Sequence, residues 1–448
     1  MKRVCKTLAL VAALVMLVFT FAACNGDDNG GGGAAAGNGG GGGEQAILAQ
    51  GVTNDAIRVG MVFPISGWAA FFGVPIHDAA EAVLNRANAH GGIAGRQIEF
   101  IFHDGFDPVE SHFHLESLLE VDEVFALMGL SGGQAPMSLD YLLDFGVPII
   151  NMTGGAGFLY SEYDPGGMMF NIQPSNNIDS PLLLARILTH PVFGPNGDEY
   201  LAEGARIGFL TAPTEAGFEL AEELRIVAES IGVLDQIIFE YATADIYHTA
   251  IHQFMNAGVE AFIYAGMGGI TVVSAMYDAG WYVPVFATYG LSTITSWSVD
   301  TYSPNRRLFA NIWAEDTSPI ALAMLDDMRD SLNYLPRIND TERDGYIDNG
   351  FARAGYMMGM VMVEALERFV DLNLDWSWDN FVVAMEHAPF ALGGTPTFSF
   401  AGGRRMGVEN LALWEFFVNE DGEADSTLVT GFDNLEEILA PWRARTGR

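Results

Sequence analysis

The chain has 448 residues, 50% of them hydrophobic and 17% charged, a globular composition long enough for two or three domains at roughly 100 to 200 residues each. Its formal charge of -36, from 57 acidic against 21 basic residues, repels phosphate over most of the surface and excludes nucleic acid as a partner. Lysine occurs only at Lys2 and Lys6 and cysteine only at Cys5 and Cys24, so the body lacks the lysine that a P-loop NTPase, a PLP enzyme or a protein kinase needs, and it has no disulfide, thiolate nucleophile or cysteine metal site.

In chain order, the N-terminus reads as an address. Lys2, Arg3 and Lys6 precede an apolar run, Leu8–Ala22, broken only by Thr20, which is shorter than the roughly 20 residues of a spanning helix. This predicts a signal peptide over 1–23. Its end, Phe21-Ala22-Ala23-Cys24, resembles the lipobox of bacterial lipoproteins and implies a lipidated Cys24; the alternative is an ordinary secretory peptide with Cys24 incidental. Residues 24–54 then form a flexible tether, because Asn25–Glu44 is almost entirely Gly, Ala, Asn and Asp and offers no side chains able to bury area. The expected location is extracytoplasmic, with the membrane as a partner through the lipid anchor.

From Asp55 the periodicity becomes regular. Ile57, Val59, Met61 and Phe63 alternate as a strand does, and Ile76, Ala79, Ala80, Val83, Leu84 and Ala87 keep helical spacing up to the glycines Gly91 and Gly92. Strands are predicted at 97–103, 124–129 and 147–152, with helices near 109–121 and 135–145. After the 174–179 segment the unit restarts, with strands at 205–210, 236–241, 260–265 and 283–287 and helices at 216–231, 248–257 and 270–279. The endings correspond too: Gly146-Val147-Pro148-Ile149-Ile150 against Trp281-Tyr282-Val283-Pro284-Val285. Two similar α/β lobes, each with a parallel sheet covered on both faces, follow from this. Beyond 290 the pattern predicts helices near 349–369 and 378–387 and a strand at 410–418. The expected division is 55–173 plus 290–400 for the first lobe and 174–289 plus 401–448 for the second.

Ligands of open α/β sheets bind beyond the carboxyl ends of the strands. The loops at those ends, among them Pro64–Gly73, Leu130–Gln134, Asn151–Gly155, Ala212–Gly217 and Gly266–Gly269, combine glycines, small hydroxyls and aromatic faces. This is a binding vocabulary more than a catalytic one.

The run Val59-Gly60-Met61-Val62-Phe63-Pro64-Ile65-Ser66-Gly67, the stretch Ala89–Arg96, Gly146–Ile150 and Phe170-Asn171-Ile172-Gln173-Pro174-Ser175 together resemble the branched-chain amino acid binding proteins of ABC importers. The resemblance covers about 55–290 and implies a type I periplasmic-binding-protein fold, two doubly wound parallel-sheet lobes joined by three crossover segments and hinged around a small ligand. It implies that Ser131, with the backbone of Gly132 and Gly133 at a helix start, holds a ligand carboxylate. Leu130 precedes that anchor, Thr153 lies next to the family's second carboxylate-binding position, where Gly155 stands in place of the family's threonine, Phe72 matches an aromatic that packs on the ligand, and Trp68, Phe71 and Met267 add apolar lining. The departures from the family pattern are informative. Tyr289 stands where the family has the acid that holds an α-ammonium, Ala216 and Gly268 replace lobe-two tyrosines, and Glu215 is the nearby acid able to substitute. The expected ligand is thus a branched-chain amino acid or a related carboxylate or amide, with the substitutions favouring an apolar or aromatic body. An ABC permease is the expected partner of a monomeric protein without a cofactor.

Other readings compete with this one. A sensor that shows its closed form to a receptor needs the same cleft. A hydrolase would need a nucleophile elbow, and no G-x-S-x-G appears. Gly266-Met267-Gly268-Gly269 lacks the full dinucleotide spacing. His103, Asp104, His112 and His114 suggest a metal less than an acidic surface loop. Asp340–Asp348 resembles the front of an EF-hand loop but has Phe351 where the bidentate glutamate belongs. Trp376 and Trp378 are expected in the core or at a helix start, and Arg404-Arg405 on a surface hairpin.

Overall fold

The computed structural model describes residues 48–130, 135–152, 163–193, 197–266, 269–289, 307–419 and 424–447; the signal segment, Cys24 and the glycine-rich tether lie outside them. β1 (Ala56–Phe63) shows why a parallel sheet forms here. Ile57, Val59, Met61 and Phe63 are buried in one core while Val62 is buried in another, so both faces of the strand are covered. β1 pairs in parallel with β2 (Gln97–Asp104) and β3 (Ala126–Met128), and β4 (Ile149–Asn151) and β5 (Met169–Asn171) extend the sheet in the order β2-β1-β3-β4-β5. The connecting helices are α1 (Ala70–Ala89), α2 (Pro108–Glu120, capped by the Asp107 carboxylate) and α3 (Ala135–Phe145).

The second sheet repeats the path. β6 (Arg206–Thr211), β7 (Ile237–Tyr241), β8 (Val259–Ala265), β9 (Val285–Ala287) and β10 (Leu308–Ile312) run in parallel in the order β7-β6-β8-β9-β10, the same progression as in the first sheet. Their helices are α4 (Asn176–Thr189), α5 (Glu215–Ser230), α6 (Tyr247–Ala257) and α7 (Gly269–Asp278).

After β10 the chain returns to the first lobe as α8 (Pro319–Leu332), α9 (Asp340–Ile347), α10 (Gly350–Asp371) and α11 (Trp378–His387), whose apolar residues share a core with β1, β3 and β4. It then crosses back to form β11 (Leu411–Val418), antiparallel to β10, then β12 (Ala424–Asp433), and ends in α12 (Leu435–Thr446). Crossings near 172–175, 313–318 and 401–410 thus join two doubly wound lobes. Among the described residues no helix is long and apolar enough to cross a membrane.

Several expectations need correction. β10 falls in the 290–400 stretch assigned to the first lobe, yet it hydrogen-bonds between β9 and β11 in the second sheet, because its five residues are all buried and fill the position that β5 fills in the first sheet. Two elements around the 174–179 segment were not expected: β5 just before it, and α4, an almost wholly buried helix that begins within it. The acidic stretch 340–347 is helical, closed at its start by a capping box between Asn339 and Glu342, and a helix cannot wrap a calcium ion as an EF-hand loop does. Arg405 is not a surface residue. It is enclosed over the Phe170 ring and donates to the carbonyls of Gly167 and Arg404 and to the Glu386 carboxylate. In this way it fastens the third crossing beside β5, where the backbones of Asn171, Arg405 and Gly407 are also bonded. Trp376 stacks on Phe369 with ring centroids 4.6 Å apart, and Trp378 opens α11 with its indole N–H on the Phe125 carbonyl.

Close helix contact explains how the distant α10 completes the first lobe. A Cβ at Gly355 would lie 2.1 Å from the Ile76 carbonyl oxygen of α1, and one at Gly359 would lie 2.9 Å from the Val83 Cβ. Two glycines one turn apart let the helix backbones meet.

Candidate functional site

Each sheet reverses its strand order between β1 and β3 and between β6 and β8, and in open α/β sheets a ligand crevice forms beyond the carboxyl ends of the strands at such a point. On the first lobe, the Pro64–Ala69 loop is held by the Ile65 N–H on the Asp104 carboxylate at 2.9 Å and by a short helical turn at Gly67–Ala69. Gly73 fixes the loop from the other side, since a Cβ there would stand 1.5 Å from the Pro64 carbonyl oxygen. The second lobe uses the same device: a Cβ at Gly217 would lie 2.1 Å from the Ala212 carbonyl oxygen, and Thr214 caps α5 by accepting from the Gly217 N–H.

The first-lobe loop carries an aromatic wall. Trp68 is 68% exposed and Phe71 51% exposed, while Phe72 is 9% exposed beneath them. Trp68 meets Phe106 edge-on at 4.9 Å, Phe71 meets Phe72 at 5.2 Å, and Phe351 lies 5.9 Å from both Phe71 and Phe72. Aromatic pairs at these distances are attractive in edge-to-face geometry, so the wall is self-supporting and its two exposed rings have an apolar face available. A cavity of about 310 Å³ opens beside it, lined by Trp68, Phe106, Asp104, Asp107 and Glu110 among others. Phe106 and Phe351 were not foreseen. Phe106 sat in a stretch read for its acids, and Phe351 reaches the wall from the start of α10, where the Asn349 cap sets the helix entry.

The other expected residues fall variously. Leu130 is buried, its side chain in the core with Val62, Leu127 and Leu142, and its N–H on Asn151 Oδ1 at 2.9 Å. Tyr289 follows β9 in the second lobe yet packs against the first lobe's core, and its N–H donates to Asp179 Oδ2 at 3.0 Å. Ala216 is exposed at the start of α5, where Glu215 supplies the first helical residue. Ser131, Gly132, Thr153, Gly155 and Met267 lie outside the described residues.

Of the candidate histidines, His103 and His114 stack with ring centroids 4.9 Å apart. His103 faces Asp122 at 3.3 Å, and His112 faces Ser138 at 3.2 Å. Among the described residues the His/Asp/Glu group close enough to share an ion is His77, Asp78 and Glu81 on α1. There the Arg337 guanidinium already bonds both carboxylates and Tyr346 donates to Asp78. Burial raises the Asp78 pKa, but hydrogen bonds from His77, Arg337 and Tyr346 outweigh it and hold the group at about 2.

Residues 56–422 match the family described as periplasmic binding protein. No curated protein matches the chain. Among solved structures, the chain is similar to a periplasmic binding protein type 1 from Bordetella pertussis Tohama I, at 18% identity and a TM-score of 0.67, with 84% of this chain and 100% of that one covered. It is also similar to a fatty acid ABC transporter substrate-binding protein from Thermomonospora curvata, at 15% identity, a TM-score of 0.65 and coverage of 88% and 96%. A third similar structure is a solute-binding protein of an ABC transporter from R. palustris in complex with 4-hydroxybenzoate, at 15% identity, a TM-score of 0.66 and coverage of 85% and 98%. At these identities the likeness speaks to the fold.

Proposed function

The chain belongs to the periplasmic binding protein family, and from that membership we propose that it captures a small solute between its lobes outside the cytoplasm and delivers it to an ABC permease. The observation that carries the ligand assignment is the aromatic wall of Trp68, Phe71, Phe72, Phe106 and Phe351. A closing cleft that buries such faces gains most from an apolar or aromatic ligand body, at about 25 cal/mol per Å² of apolar area. Tyr289, Ala216 and Gly268 offer no carboxylate for an α-ammonium, and an unpaired buried charge costs several kcal/mol. Ser131 and the backbone of Gly132 and Gly133 are the proposed anchor for the ligand's carboxylate or amide, with Thr153 as a further contact. Two of the similar structures, named for fatty acids and for 4-hydroxybenzoate, support a carboxylate with an apolar body as a ligand this fold accepts.

A thermal-shift panel tests this reading. Aromatic and medium-chain carboxylates are expected to raise Tm by several degrees at millimolar concentration, and leucine, isoleucine and valine to raise it little. Strong stabilisation by the three amino acids that survives Glu215→Gln would reverse the assignment.

The proposed anchor is a lipid on Cys24, supported by the lipobox resemblance and by the tether behind it. Cys24→Ala is expected to move the protein from the membrane fraction to the soluble one. A mature N-terminus at another residue would refute the lipidation.

A further inference from the structure

The strand order separates a hinge edge from a mouth. The crossings leave from β5 and β10 and return to β11, toward one end of the two sheets. There Asn311 of β10 donates to Asp179 of α4 at 2.7 Å, and Arg186 of α4 bonds both Asn311 and the Leu411 carbonyl of β11. β2 and β7 are the outermost strands at the opposite end, so the residues at their carboxyl ends stand farthest from the crossings, where a hinged cleft opens widest. On the first lobe this is where Trp68 meets Phe106, two residues beyond β2.

The second lobe carries an aromatic pair at the equivalent place. Tyr241 is the last residue of β7, and Phe218 lies in the first turn of α5, which follows β6. Thr214 caps that helix, and the Phe218 N–H donates to the Thr214 carbonyl at 2.9 Å. The two rings lie 5.2 Å apart, tilted by 44°, and Phe218 is 52% exposed. Ile246, on the connection from β7 to α6, is exposed as well. Because β6 and β7 hold the positions in their sheet that β1 and β2 hold in theirs, Phe218 and Tyr241 join the same two strand ends as Trp68 and Phe106.

We propose that Phe218 and Tyr241 form the second-lobe wall of the ligand site, and that the site takes a monocarboxylic acid whose apolar body runs from the Ser131 anchor to the mouth of the cleft. This rests on the reading of the solute as a carboxylate with an apolar body, and it adds a length. Ser131 follows β3, and β3, β1 and β2 are neighbours in that order, so two inter-strand spacings, about 10 Å, separate the anchor from the outer rings. At about 1.5 Å per carbon–carbon bond, shortened along the axis by the zigzag of the chain, about eight carbons cover that distance. Leucine, isoleucine and valine stop well short of it. The cavity of about 310 Å³ beside Trp68 and Phe106 leaves room for an occupant there, and closing the second lobe over an apolar chain removes the exposed Phe218 face from water.

Calorimetric titration of the secreted chain with butanoate, hexanoate and octanoate tests this. Wild-type affinity is expected to rise about fourfold per added carbon. Phe218→Ala is expected to weaken octanoate about tenfold and butanoate less than about twofold, and Tyr241→Ala to act in the same direction. Phe218 is half exposed and alanine is a strong helix former, so the first variant keeps its fold. Ile226→Ala, at an exposed position further along α5, should leave every titration unchanged. Affinity that does not grow from butanoate to octanoate overturns the proposal, as does wild-type octanoate affinity in Phe218→Ala. Equal weakening of butanoate and octanoate in that variant is also fatal, because the rings would then meet the opposite lobe instead of the chain. A gain with length that Trp68→Ala removes and Phe218→Ala keeps would refute the second wall and leave the solute reading standing; no binding by any of the acids would refute both.

Discussion

Gly73→Ala is expected to lower stability by about 3 kcal/mol and to weaken ligand capture more than about tenfold, although it adds a single methyl group. The added carbon would stand 1.5 Å from the Pro64 carbonyl oxygen, and a backbone oxygen cannot swing aside as a side-chain tip can. The whole Pro64–Ala69 loop must move, taking Trp68 with it and withdrawing one exposed face from the aromatic wall. Gly355→Ala is the matched comparison: its methyl would lie 2.1 Å from the Ile76 carbonyl oxygen, forcing α10 off α1 at similar cost in stability but away from the loop that carries Trp68. Gly345→Ala is the control, because a Cβ there meets nothing within 4 Å and alanine is the better helix former by up to about 1 kcal/mol. Urea unfolding of the three variants, together with titration of the best member of the ligand panel, separates the effects. Wild-type stability in Gly73→Ala, or binding lost equally in Gly355→Ala, would show that the loop is not held as described.

The second large effect is a stability maximum on the acid side of neutrality. Asp78 is held at about 2 in the folded protein, below the ordinary aspartate value of about 3.9, so its contribution is present above that value and is lost as pH falls toward 2. Asp179 has the opposite sign. Its folded value, pushed up to about 7 by burial, means that the folded state holds the proton more tightly than the unfolded chain, so stability is greatest below about pH 4, declines as pH rises toward 7 and is flat beyond. Three units correspond to about 4 kcal/mol. Mutual repulsion within a chain of net charge -36 acts in the same direction as carboxylates ionise. Denaturation from about pH 2 to about pH 8 should therefore show stability rising and then falling, with Asp78→Asn removing the acid limb and Asp179→Asn flattening the decline. A decline of unchanged slope in Asp179→Asn would mean that general charge repulsion alone produces it.

Much of the fold was legible because its signals are local. The alternation of Ile57, Val59, Met61 and Phe63 and the helical spacing from Ile76 to Ala87 report burial on one face within a few residues, and the repetition of the unit after residue 179 exposes the second lobe. The segments missed carry weaker local signals. β10 is five residues long, and its place between β9 and β11 depends on partners reached after a crossing and an α-helical return. The helix α4 begins at a segment read as a connection, and its burial depends on α5 and α12 packing against it.

The candidate site divides along the same line. Sequence alone determined that the protein does not use lysine or thiol chemistry, since those residue types are absent from its body, and it located the loops at the strand ends, because strand and loop order are properties of the chain. It also picked out Trp68, Phe71 and Phe72 as apolar lining. Only the tertiary structure decided that Phe106 and Phe351 complete that wall, that the Leu130 side chain belongs to the core, that Arg405 is buried, and that Asp179, Asn311, Arg186 and Tyr289 meet where the lobes join. The reason is physical. Periodicity records whether a residue is buried, whereas a polar contact between residues 132 positions apart, as between Asp179 and Asn311, leaves no periodic trace and exists only once both lobes have folded and the crossings lie side by side.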